Sequence, residues 1–134
     1  MGGDAIQKNI TPSEHAEQVG FVRWIKKRYP GLLIFAIPNG GIRNIRTGKK
    51  LKDEGVTRGI PDLMIPALKM FIEMKRSKGG VVSPHQKKIM EYLKRVGYTC
   101  YVCNGAEDAS RKVLKFLEER EKKSIGNTNS WIYE

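Results

Sequence analysis

Gly59-Ile60-Pro61-Asp62-Leu63-Met64-Ile65-Pro66, Ala67-Leu68-Lys69-Met70 and Phe71-Ile72-Glu73-Met74-Lys75 follow one another without interruption through the middle of the chain. Two short apolar runs flank a break of four residues, the pattern of a β-hairpin. Side chains alternate between the faces of a strand, so Glu73 and Lys75 share one face while Ile72 and Met74 take the other. A charge inside an apolar strand is costly to bury, and it persists where it is paired or bound to a metal. With Asp62 near the start of the first strand, the hairpin brings two carboxylates and a lysine to one place and is read as a metal site. Taken alone, Glu73-x-Lys75 also fits an ion pair on an exposed strand, and Asp62 a turn residue after Pro61.

Outward from the hairpin, 134 residues are enough for one domain with a single core. The 25 lysines and arginines exceed the 14 acids, giving a formal charge of +11. That excess points to a polyanionic partner, nucleic acid before an anionic membrane surface. No stretch of about 18 apolar residues is present, so no membrane span is expected. Residues 1–10 are polar, lack a signal-peptide core and are expected to be a flexible leader; 11–122 form the globular part and 123–134 a polar tail carrying Trp131 and Ile132. Cys100 and Cys103 form C-x-x-C inside an apolar run rather than at a helix start, and residues three apart in a strand face opposite ways. Reduced structural cysteines and a cytoplasmic-type compartment follow.

Thr11-Pro12-Ser13-Glu14 carries a helix-start signature, with Thr11 as N-cap, Pro12 in the first helical position and Glu14 closing a capping box. The helix should reach Tyr29, with Val22 and Ile25 inward. Leu32 to Ile37 is apolar throughout and suits a buried strand; Pro38-Asn39-Gly40-Gly41 must turn. From 42 to 58 the chain reads as a basic loop with a short helix near 49–54. Ser83-Pro84-His85-Gln86 repeats the start signature, and the helix it opens should place Ile89, Met90 and Leu93 on one face and end at Gly97. A last strand over 98–103 and a helix over 106–122, with Ala109, Val113, Phe116 and Leu117 inward, complete an α/β fold whose sheet has helices on both sides.

Hydrolysis of a phosphodiester with a divalent metal needs clustered oxygen ligands, a positioned water and positive charge near the phosphate. Asp62 and Glu73 offer the carboxylates, suited to Mg2+, and Lys75 could orient the water or offset charge. Pro61-Asp62 followed eleven residues after the aspartate by Glu73-Met74-Lys75 resembles the PD-(D/E)-x-K nuclease signature. The pieces Pro38-Asn39-Gly40-Gly41, Gly55-Val56-Thr57-Arg58-Gly59-Ile60-Pro61-Asp62-Leu63, Phe71-Ile72-Glu73-Met74-Lys75 and Ser83-Pro84-His85-Gln86, with Gly97-Tyr98 and Gly105-Ala106, resemble the VRR-NUC family (virus-type replication–repair nuclease domain) from about Glu14 to Leu117. The resemblance implies a restriction-endonuclease-like mixed β-sheet with an αβββαβ core and DNA cleavage dependent on Mg2+ or Mn2+. It makes Asp62 and Glu73 metal ligands together with the Met74 carbonyl, and Lys75 the catalytic lysine. Gln86 matches the family's glutamine after the hairpin, though it also fits a capping box, and a glutamate of the first helix, Glu14 or Glu17, would complete the site. Similarity to small viral members implies a homodimer that cuts branched DNA such as four-way junctions or flaps, and a bacteriophage protein that acts in the host cytoplasm. A sequence-specific restriction-type enzyme and a non-catalytic DNA-binding module remain the alternatives. Arg43, Arg46, Lys49, Lys50, Arg58 and Lys78, with Lys87 and Lys88, are candidates for phosphate contacts, whereas His15 and His85 read as surface residues of first helical turns.

Overall fold

In the computed structural model, which describes residues 10–38 and 45–123, the elements run in the order helix, strand, helix, hairpin, helix, strand, helix. They are α1 (Glu14–Arg28), β1 (Phe35–Ala36), α2 (Ile45–Asp53), β2 (Leu63–Ile65), β3 (Met70–Lys75), α3 (Pro84–Arg95), β4 (Thr99–Asn104) and α4 (Ala106–Lys123). A turn of 3-10 helix, Pro66–Leu68, and Lys69 in the left-handed region (φ 48°) reverse the chain between β2 and β3. The strands lie in the order β1-β2-β3-β4, antiparallel across the first two pairs and parallel between β3 and β4. A parallel pair needs a long crossover, and α3 supplies it. The α/β fold with a mixed sheet is as expected.

β3 occupies an interior position with helices over both faces, and all six of its residues are buried. Met70, Ile72 and Met74 face the main core, where Phe21 and Ile25 of α1 and Ala109 and Val113 of α4 meet them. Phe71 faces the other way, toward Met90 of α3 and Cys100 of β4. Tyr98 packs edge-on against Phe71, with ring centroids 5.2 Å apart. Cys100 and Cys103 are buried, free and divided between these two clusters, as the alternation of a strand requires. α3 runs back against the sheet, so its N-terminus lies at the end of β3 that carries Glu73 and Lys75.

Several expectations need correction. The N-cap of α1 is Ser13, not Thr11: the Ser13 hydroxyl accepts the Ala16 N–H at 3.0 Å, so Glu14 begins the helix and closes no capping box. Phe21 is fully buried beside Ile25, whereas Val22 is only partly so. The run from Leu32 to Ile37 is not a buried strand. Leu32 and Ile34 are buried, but the ladder is confined to Phe35–Ala36 at the sheet edge, where Phe35 is 41% exposed. The basic stretch holds a longer helix than expected, from Ile45 to Asp53. The turn residues Asn39 to Gly41, Arg43, the leader through residue 9 and the tail from 124, with Trp131 and Ile132, lie outside the described residues.

Candidate active site

Beyond the Leu63–Ile72 pairing, β2 no longer runs alongside β3, and a side chain continues the ladder. Asp62 Oδ2 accepts the Met74 N–H at 2.8 Å, while the Asp62 carbonyl accepts the Ile37 N–H at 2.7 Å. The aspartate is thereby pinned to β3 at the residue between Glu73 and Lys75. Glu73 is 2% exposed and Lys75 8%, so the pair is not a surface feature of an outer strand. Lys75 Nζ lies 3.2 Å from Glu73 Oε2, which confirms their shared face.

α3 closes the network from above. Ser83 and Gln86 form the expected capping box: the Gln86 N–H donates to Ser83 Oγ (3.1 Å), and the Ser83 N–H to Gln86 Oε1 (2.9 Å). The same Gln86 carboxamide donates through Nε2 to Glu73 Oε2 at 2.7 Å and accepts from Lys75 Nζ at 3.3 Å. The two roles weighed for Gln86, cap and site, coexist in one side chain. Gly80 supports Lys75 from below; a Cβ there would come within 2.7 Å of Lys75 Cβ, a closeness that only glycine allows.

An open cleft of about 290 Å³ is lined by Glu14, Arg58, Asp62, Glu73, Lys75 and Gln86, among others. Between the two helix-1 acids the geometry separates plainly. Glu14 lines this cleft, whereas the Glu17 carboxylate lies against Gly105 near Ser77. His85 is exposed, as expected, and lines the cleft as well. Of the basic residues, Arg58 reaches the cleft; Lys50, Lys78, Lys87 and Lys88 are exposed elsewhere, and Lys49 pairs with Asp53 at 3.1 Å. Arg46 belongs to α2, and its side chain lies outside the described set. His15 is exposed, as expected.

Burial raises the Glu73 carboxyl from an ordinary 4.5 to about 7; the Asp62 charge pushes in the same direction, and Lys75 only partly offsets them. Glu73 Oε1 is buried and has no hydrogen-bond partner among the described residues. A buried acceptor left unsatisfied beside a second carboxylate suits a hard cation, which would supply the missing partner and relieve the repulsion. Among the described residues no three acids, histidines or cysteines converge on one point, so Asp62 and Glu73 would hold such an ion with help from carbonyl oxygen and water. The donors present therefore fit Mg2+ or Mn2+.

A mixed sheet with an acid and a lysine two apart on an interior strand, and a second carboxylate pinned against that strand from the start of the hairpin, is the plan of PD-(D/E)-x-K nucleases. The match to the VRR-NUC domain over residues 13–107 covers most of the chain, and the protein belongs to that family. A solved structure described as a VRR_NUC domain protein is similar in fold, with a TM-score of 0.67 over 81% of this chain and 91% of that one, at 23% identity. No curated protein matches the sequence. Among the described residues, no helix is long and apolar enough to cross a membrane.

Proposed function

We propose that the chain is a Mg2+- or Mn2+-dependent DNA endonuclease, acting as a homodimer on branched DNA such as four-way junctions or flaps in replication or repair. The observation that carries the reading is Glu73 Oε1, which has no partner among the described residues, lies buried next to Asp62 and is held in place through Glu73 Oε2 by Lys75 and Gln86. Asp62 and Glu73 would bind the cation, with the Met74 carbonyl as a further oxygen donor, and Glu14, on the wall of the same cleft, would reach it through water. When bound, the cation supplies Lewis-acid stabilisation of the charge that builds on the phosphate and favours ionisation of water.

The chain's own residues do the rest. Lys75, held by two oxygen acceptors, keeps an ammonium at the cleft wall, where it can orient the attacking water and offset charge on the phosphate. Gln86 fixes both the glutamate and the lysine, so neither has to search for its working position. Arg58 at the rim supplies a charge-assisted contact to a phosphate oxygen. The excess of cations over acids provides the sequence-independent attraction to the polymer. A domain this small has little surface for a junction, and a dimer would present two clefts to two strands.

The test is a comparison of a four-way junction, a flap, linear duplex and plasmid, each with Mg2+, Mn2+ or chelator. Preferential, metal-dependent cutting of the branched substrates, lost in Lys75→Ala with DNA binding retained, is the expected result. Discrete fragments from linear duplex would instead indicate a restriction-type enzyme, and binding without cleavage of any substrate a non-catalytic module.

A further inference from the structure

Two adjacent residues at the start of α3 reach opposite walls of the cleft. Gln86 grips Glu73 and Lys75 on the strand wall. His85 turns to the other wall, where its Nε2 lies 2.9 Å from the carbonyl oxygen of Arg58, 27 residues away in sequence. A carbonyl can only accept, so Nε2 carries the proton and donates it in this bond. The ring also covers Gly59. A Cβ on Gly59 would lie 2.7 Å from His85 Cδ2 and 3.3 Å from Nε2, and the glycine sits at φ 86°, in the left-handed region. Glycine is thus required there twice, for its dihedral and for the imidazole stacked on its bare α-carbon.

We propose that His85 is a positioning residue that latches the Arg58–Gly59 wall of the cleft to the start of α3, and so sets where the Arg58 side chain meets the scissile phosphate. The inference rests on the nuclease reading of the cleft. Arg58 is exposed and approaches on a turn, where a long side chain would otherwise sample many positions. Fixing its backbone carbonyl removes that freedom at the root of the side chain. The same helix start then holds both halves of the site in register. Its capping box sets Gln86 against Glu73 and Lys75, and the residue before Gln86 sets the arginine opposite them. A displacement of about 1 Å at such a contact can slow a reaction roughly a hundredfold.

The test uses His85→Ala, His85→Gln, Arg58→Ala and the His85→Ala/Arg58→Ala double variant of the whole chain. Glutamine carries an N–H the same number of bonds from Cβ as Nε2 of histidine and can restore the donated bond. Amide exchange across residues 57–62 of the free protein is measured beside single-turnover cleavage of a four-way junction in Mn2+, with thermal melts to confirm folding. His85→Ala should speed exchange in this segment and slow cleavage roughly ten- to a hundredfold, and His85→Gln should recover most of both. In the Arg58→Ala background, losing His85 should cost less than about threefold more, because the two changes act through one contact. Unchanged exchange in His85→Ala, failure of His85→Gln to recover it, or full additivity with Arg58→Ala would each overturn the latch. If no substrate is cut by the wild-type protein, the nuclease reading fails, while the exchange comparison still decides whether the latch exists.

Discussion

Glu73 and Asp108 are both carboxylates placed beside lysines at the same end of the β3–β4 pair, and their surroundings drive them in opposite directions. Asp108, in the first turn of α4, accepts the Asn104 N–H (2.9 Å) and Lys112 Nζ (3.0 Å) on one oxygen and Arg111 (2.9 Å) on the other. Burial pushes its pKa up, but the Asn104 amide, Lys112 and Arg111 outweigh burial and hold it below the usual value. Glu73 has a lysine and an amide on one oxygen, no partner among the described residues on the other and a second carboxylate nearby; its pKa climbs to about 7. The aspartate is complete within the fold, as expected of a charge that serves structure. The glutamate keeps an acceptor that the described residues leave open and a carboxyl raised by burial, and that contrast marks the site more sharply than acid content alone.

The largest way to break the comparison is to remove each lysine. Lys75→Ala should cut single-turnover cleavage by roughly a hundred- to a thousandfold with DNA binding kept, whereas Lys112→Ala, whose ammonium serves Asp108 and the Val102 carbonyl, should leave the rate unchanged. Equal losses would mean the two clusters are not different in kind. Next in size is the metal. At pH 8, Mg2+ or Mn2+ at a hundred times its dissociation constant should stabilise the wild-type fold by about 2.7 kcal/mol, measured by thermal or urea melts. The gain should fade below pH 7 as Glu73 takes up a proton, and Glu73→Gln should abolish it while Asp108→Asn keeps it.

Smaller, and opposite in sign for the two acids, are effects on the metal-free fold. Because the folded pKa of Glu73 lies above its ordinary 4.5, its contribution to stability is present below about pH 4.5 and lost as pH rises to about 7. Glu73→Gln should therefore stabilise the metal-free protein at pH 8, by about 1–3 kcal/mol, and do nothing of the kind at pH 4. Asp108 is lowered, so its contribution is present above its ordinary 3.8 and lost in acid; Asp108→Asn should cost about 1 kcal/mol at pH 7 and little at pH 2. Urea melts across this pH range would read both, and the same sign for the two variants would sink the distinction.

How much of this lay open in the sequence depended on how local the cause was. The hairpin, the shared face of Glu73 and Lys75 and the Ser83–Gln86 capping box follow from period-two alternation and from contacts three residues apart, and all are present. The start of α1 did not follow, because Thr11 and Ser13 are both competent caps and the choice is settled by turning Phe21 and Ile25 onto the sheet. The run at Leu32–Ile37 misled because apolar content does not show which strand lies at an edge. At the site, the Asp62–Met74 bond depends on where the β2 ladder stops, and the His85–Arg58 bond joins residues 27 apart. The closest clues were glycines: Gly59 and Gly80 leave room for His85 and Lys75, but a glycine in sequence does not say what will fill the space.

The smallest effect concerns a third charged pair, Lys49 and Asp53 on α2, with side chains 77% and 63% exposed. Water screens both partners, and a lysine on the N-terminal side is the weaker orientation for such a helical pair, so Lys49→Ala should change stability by less than about 0.5 kcal/mol. If Lys49 contacts a phosphate, the plot of log binding constant against log salt concentration should become shallower by about one unit in Lys49→Ala, evenly across DNA sequences. Breaking the intramolecular pair by Asp53→Ala frees the ammonium without moving the helix, and should then strengthen DNA binding rather than weaken it. An unchanged slope in Lys49→Ala would remove Lys49 from the DNA path and leave Arg58 as the cationic contact that lines the cleft. Charge on this surface would then act through the field it adds to the whole molecule, whereas the charges around Glu73 act through the few ångströms that separate them.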